Sequence, residues 1–298
     1  MTKPLRFAPV GVALLVALPL SVTAGRAPIA AQAQPRPLKV FISVDMEGLS
    51  GVVAGNEVSA TGPDYGHFRA IMAAETNAAI EGAALAGMTE FVVRDSHGNK
   101  TNLLPADVSP KAQLIRGAST GPKNMMEGID ATFAAAVFIG YHAKAGTPNA
   151  VLAHTSTGNV IDFEINGVSL PEAGYNALVA GLYDVPVVFV AGDKAFVDQA
   201  RSLLGPVEAV ATKAEIGGGA ISGIAPAESQ RRIKAGVELG IRARDRLKPY
   251  KMTPPYSMVL KVRADKPLYR GAERPRPGES VFRHADLLEV LNAFNAMK

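Results

Sequence analysis

The chain has 298 residues, 48% apolar and 19% charged, a globular balance rather than a disordered one. It contains no cysteine, which excludes disulfide frameworks, thiolate metal sites and cysteine nucleophiles, so any metal must be held by His, Asp and Glu. The formal charge of +4 arises mostly in residues 1–33; beyond them 28 basic side chains face 27 acidic ones, no surplus for binding nucleic acid.

Residues 1–33 read as an address. Lys3 and Arg6 precede a short apolar run at 10–18, bounded by Pro9 and Pro19, and Ala31-Gln32-Ala33 supplies a small-residue end. A charged start, short apolar middle and A-x-A-like end describe a secretory signal peptide, and the run is too short to span a bilayer comfortably. Export to the periplasm or medium is expected. No later segment is apolar for long enough to cross a membrane.

Residues 40–44 are the first strand, closed by Asp45-Met46-Glu47-Gly48, and 65–87 read as a helix stopped at Gly87. Strands follow at 91–93, ended by Asp95-Ser96-His97, at 134–139, ended by Gly140-Tyr141-His142, and at 150–153, ended by His154. Helix 171–182, strand 185–191 and helix 194–204 complete an alternation of short continuous apolar strands with helices, the mark of a buried parallel sheet. Beyond it come a strand at 209–216, a turn at Gly217-Gly218-Gly219, an Arg-rich helix at 226–246, a strand at 257–262 and a closing helix at 285–297. The expected architecture is α/β: a mostly parallel sheet flanked by helices over residues 34–207, with a smaller C-terminal α+β domain over residues 208–298.

What terminates the strands carries the chemistry. Asp45 and Glu47, His97 and His142 each follow an apolar run, and ligand sites of parallel α/β sheets lie at the carboxyl ends of strands. Asp45 and Glu47, two apart on extended backbone, point to the same side, and two carboxylates crowded together call for a cation. With N and O donors only, Zn²⁺ or Mn²⁺ suits such a set. Each residue also has an ordinary alternative: a strand-end carboxylate caps helices, a histidine serves as a core or surface residue, and Glu172 in a first helical turn complements the helix dipole. Asp95 and Asp193 read either as supports of a ligand or as caps. His67 and His284 read as lying in helical contexts, with structural roles. No phosphate loop, dinucleotide fingerprint or nucleophile elbow is present.

Taken together and in order, Ser43-Val44-Asp45-Met46-Glu47-Gly48, Asp95-Ser96-His97, Gly140-Tyr141-His142-Ala143, Ala153-His154-Thr155 and Pro171-Glu172-Ala173-Gly174-Tyr175-Asn176-Ala177 resemble the D-aminopeptidase family of zinc peptidases. The stretches Tyr183-Asp184-Val185-Pro186-Val187 and Ala191-Gly192-Asp193 extend the resemblance, which is clearest over 38–193. It implies two zinc ions in an α/β domain and metal-dependent removal of N-terminal residues from short peptides. Asp45 would bridge the metals, Glu47, His97, His142 and Glu172 would complete the ligand set, and His154 would be the catalytic residue. It also implies a ring-like homo-oligomer with active sites facing an interior space. Two other functions share some of these features: a two-metal phosphoesterase, and an exported peptide- or solute-binding protein without turnover.

Overall fold

Buried apolar runs and amphipathic segments alternate along the chain. The computed structural model describes residues 1, 2, 4, 5, 7, 8 and 38–298, so the expected leader falls almost wholly outside the described residues. In chain order the elements are β1 (Lys39–Val44), α1 (Tyr65–Leu85), β2 (Glu90–Asp95), β3 (Ala112–Ile115), β4 (Phe133–Tyr141), β5 (Val160–Ile165) and β6 (Val168–Ser169). They continue with α2 (Glu172–Leu182), β7 (Val187–Asp193), α3 (Lys194–Leu204), β8 (Glu208–Gly217), β9 (Ala220–Gly223) and α4 (Pro226–Arg242). The last are β10 (Tyr256–Val262), β11 (Glu273–Arg276), β12 (Glu279–His284) and α5 (Leu287–Met297).

Seven strands form the main sheet in the order β3-β2-β1-β4-β7-β8-β9, parallel except for the final β8–β9 hairpin. Both faces of β1 are covered: Val40, Ile42 and Val44 belong to the core under α1 and α4, whereas Phe41 belongs to the core on the opposite face. This explains why the central strands read as continuous apolar runs rather than as alternating ones. Helix α4 turns Ile233, Val237 and Ile241, four residues apart, inward and leaves its Arg-rich face outside.

A second, antiparallel sheet has the order β11-β12-β10-β5-β6. Helix α2 is buried at every residue from Glu172 to Gly181, because its side chains share one core with this sheet, with α5 and with the far face of the main sheet. A helix apolar on all sides needs such cover. The α/β class and the mostly parallel sheet are as expected from the sequence. The division at 207/208 is not where the layers divide: β8 pairs parallel to β7 in the main sheet, the antiparallel sheet takes β5 and β6 from the first half, and the described residues from 38 to 298 cluster as one unit. Residues 150–153 form a turn rather than a strand, with Leu152 at φ 52°, a left-handed backbone that ends any extended run. His284 closes β12 and is exposed instead of lying in a helix. No helix among the described residues is long and apolar enough to cross a membrane.

The site's position follows from strand order. The chain runs outward from β1 through β2 to β3 and then returns to lay β4, β7 and β8 on the other side, so the order reverses between β1 and β4. Ligand crevices of open α/β sheets form at that reversal, outside the carboxyl ends of the strands.

Candidate metal centre

Backbones meet closely at the reversal. Asp45 N donates to the Ile139 carbonyl at 2.8 Å and Gly48 N to the Gly140 carbonyl at 2.8 Å. A Cβ on Gly48 would collide with the Tyr141 carbonyl oxygen, and Gly140, at φ +71°, lies against the Asp45 carbonyl. These two glycines let the ends of β1 and β4 approach until the Asp45 and His142 side chains share one space. From below, Lys213 on β8 donates to the Glu47 and Leu49 carbonyls at 2.5 and 2.6 Å, pinning the loop that follows β1.

Six side chains converge there. His97 Nδ1 lies 3.1 Å from Asp45 Oδ1 and 3.1 Å from Glu47 Oε2. His142 Nε2 lies 3.6 Å from Asp45 Oδ2 and 3.5 Å from Glu172 Oε1. His154 Nε2 is 3.7 Å from the same Glu172 oxygen, and its ring stacks on that of His142 with centroids 4.0 Å apart. Three overlapping groups of ligand atoms result: Asp45, Glu47 and His97; Asp45, His142 and Glu172; and Glu47, His142 and His154. Asp45 sits between the first two, one oxygen facing each.

The hydrogen bonds on the far sides of the rings decide what faces inward. His97 Nε2 is 2.8 Å from the Val58 carbonyl, His142 Nδ1 is 3.0 Å from the Ala143 carbonyl, and His154 Nδ1 is 2.9 Å from the Leu152 carbonyl. A carbonyl only accepts, so each of these nitrogens carries a proton, and the opposite nitrogens of His97 and His142 face carboxylates that hold either a second proton or a metal ion there. Lone pairs aimed at carboxylates repel unless a cation lies between them. His142 Nε2, buried and without a hydrogen-bond partner, is the clearest case.

Electrostatics agree with geometry. Burial pushes the His97 imidazolium down, but the Glu47 and Asp45 carboxylates override it and raise the group to about 11. Burial likewise opposes charge on His142, and Glu172, Glu47 and Asp45 raise it to about 10. Burial raises Glu47 and Glu172, yet the facing histidines draw both below the usual carboxylate range. The cluster therefore holds positive charge strongly, whether as protons or as metal ions. The donor set, three carboxylates and up to three imidazoles, fits zinc.

All six residues singled out in the sequence meet at this point. The supporting roles come out differently. Asp95 does not touch a histidine ring; it accepts from Asn102 Nδ2 at 2.9 Å and Leu103 N at 2.8 Å, and Asn102 in turn donates to the His97 carbonyl at 2.7 Å. Asp193 does both jobs, capping α3 through Phe196 N at 3.4 Å and holding Ala143 N at 3.2 Å beside His142. Lys213, Ser156 and Lys298 were not marked as site residues by the sequence. Ser156 N donates to Glu172 Oε1 at 2.6 Å, and Lys298 lines the same cavity as Asp45, Glu47, His97, His154 and Glu172. Nothing local in the sequence flags Lys298.

A family model described as D-aminopeptidase matches residues 38–296 of the chain. The D-aminopeptidase of Bacillus subtilis (strain 168) is 39% identical over 225 residues, covering 76% of this chain and 81% of that protein. The solved structure of the Zn-dependent D-aminopeptidase DppA from Bacillus subtilis, a self-compartmentalizing protease, superposes with a TM-score of 0.82 at 34% identity, covering 86% of this chain and 95% of that one. By the match along nearly all its described length, and by the shared fold, the chain belongs to the D-aminopeptidase family.

Proposed function

We propose that the protein is a zinc-dependent aminopeptidase that releases D-configured N-terminal residues from short peptides. What carries this is the pairing of three buried carboxylates with imidazole nitrogens, above all the unpartnered Nε2 of His142, at the sheet's reversal point beside a cavity of about 320 Å³ that Asp45, Glu47, His97, His154 and Glu172 line. Asp45, Glu47, His97, His142 and Glu172 would hold two zinc ions, with Asp45 common to the group with Glu47 and His97 and the group with His142 and Glu172. When bound, zinc supplies Lewis-acid polarisation of the scissile carbonyl and of the attacking water.

The chain's own residues supply the rest. His154, with Nδ1 tied to the Leu152 carbonyl and its Nε2 lone pair turned to the cavity, takes a proton at Nε2 as water attacks and passes it to the leaving amine. Its stack on His142 fixes the ring plane. Glu172 keeps its orientation through Ser156 N. The likeness to a self-compartmentalizing protease supports a homo-oligomer with enclosed active sites, and the order of residues 1–33 supports export.

Hydrolysis of D- and L-aminoacyl amides by the zinc-loaded protein, before and after chelation, tests this. Cleavage of the D series that stops on chelation and returns with Zn²⁺ is expected. Cleavage of phosphate esters in place of amides would favour a two-metal phosphoesterase, and chelator-insensitive peptide binding without turnover would favour a transport function.

A further inference from the structure

The cavity that the acidic cluster lines also carries two cations, Lys100 and Lys298. Lys298, directly after α5, lines this cavity together with a second one of about 610 Å³, and Ser119 and Asn124 are also shared by the two. Lys298 therefore stands at the neck between them. Its Nζ donates to Ser156 Oγ at 2.7 Å and Asn295 Oδ1 at 2.9 Å. An ammonium has three donors, so one N–H has no assigned acceptor among the described residues. The other lysine of the cavity, Lys100, is drawn instead to the Ser96 carbonyl.

We infer that Lys298 anchors the free α-carboxylate of the substrate, so that the enzyme selects di- and tripeptides over longer or C-terminally amidated ones. This rests on the aminopeptidase reading above. Three carboxylates on the metal wall repel a substrate carboxylate, which leaves the neck as the place where an anion finds a cation. The separation is right. Ser156 bonds Lys298 through its hydroxyl and Glu172 through its N–H, so the cation and the cluster are two hydrogen bonds and one serine apart. That matches one to two residues of extended chain at about 3.5 Å each. Burial pushes the Lys298 ammonium down to about 8, with Glu172 opposing it, and an arriving carboxylate would offset that cost.

The test compares D-alanylglycine with D-alanylglycinamide on the zinc-loaded full chain. Charge-assisted pairing predicts that the wild type favours the free acid in kcat/KM by about tenfold to a hundredfold. In Lys298→Met this ratio should fall close to one, and in Lys298→Arg much of it should persist; a ratio taken on one preparation does not depend on how much of it is folded. N-acetylglycine, lacking a free amine, should bind the metal-free chain about tenfold more weakly after Lys298→Met. Equal cleavage of acid and amide by the wild type, an unchanged ratio in Lys298→Met, or equal N-acetylglycine affinities would overturn the anchor while leaving the aminopeptidase reading intact. Hydrolysis of neither substrate would overturn that reading and the anchor with it.

Discussion

Replacing His154 with Ala should separate proton transfer from metal binding. The ring lies within ligand distance of Glu47 and His142, so a metal-ligand role is geometrically open to it. Its surroundings differ from those of the other two histidines: its side chain is 29% exposed, against 1% for His142 and 13% for His97, and its Nε2 stands farther from any carboxylate, at 3.7 Å. General acid–base groups contribute about 10²- to 10⁴-fold. Because the ring is partly open to solvent, water can enter the space it leaves and relay protons in its place, so a loss of about 10²- to 10³-fold in kcat is expected, equivalent to about 3–4 kcal/mol of barrier. The assay is steady-state hydrolysis of a D-aminoacyl amide alongside elemental analysis of the same preparation. His154→Gln, whose amide can still reach the Leu152 carbonyl, should be as slow as His154→Ala. Near-normal turnover would refute the proton-transfer role, and zinc loss matching the activity loss would make His154 a ligand.

The ligand variants should behave in the opposite way. His97→Ala and His142→Ala each remove a lone pair facing the carboxylates, so zinc content measured after equilibrium dialysis should fall; unchanged content would contradict the assignment. Gly48→Ala places a methyl group against backbone of β4 and β7, where only the strand ends themselves can yield. The cost is about 1–3 kcal/mol, and a thermal scan should show a melting point lower by several degrees with weakened zinc binding; an unaltered melting curve would refute the close-approach argument. Away from the metal ligands, Glu75 accepts from Ser50 N and Ser229 Oγ, and burial raises its carboxyl to about 7 despite those bonds and Lys213. Below about 4.5 it is neutral in both folded and unfolded chains. Between there and 7 only the unfolded chain ionises, so stability falls as pH rises, by about 3 kcal/mol in all. Glu75→Gln should therefore stabilise the protein at pH 8 but not at pH 4, as read by denaturant unfolding; equal effects at both would show that the carboxyl is not perturbed.

Much of the main sheet and of the site was legible because buried parallel strands announce themselves. Residues 40–44, 134–139 and 185–191 are apolar on both faces, and the residues that end the first two of these runs, Asp45 and His142, necessarily lie at the rim. Glu172 was legible only through its motif, since a glutamate in a first helical turn has an ordinary electrostatic role; what sets it apart, burial at every neighbouring position of α2, depends on a second sheet packed from far along the chain. That sheet was the part least visible. Its strand β5 alternates Asp162 and Glu164 with apolar residues, and these acids pair with Lys261 of β10 at 3.4 and 2.9 Å, a partnership about a hundred residues distant. The same distance hides Lys298, whose meeting with Ser156 comes from tertiary packing alone.

Zinc stoichiometry of the full chain addresses the central claim most directly, measured on the wild type and on Asp45→Ala after exhaustive dialysis against Zn²⁺ at neutral pH. Two ions per chain in the wild type are expected, and loss of both from the variant, because Asp45 alone is common to the group with Glu47 and His97 and the group with His142 and Glu172. A wild type that retains no zinc, or an Asp45→Ala chain that retains the full complement, would contradict a metal centre built on the strand ends.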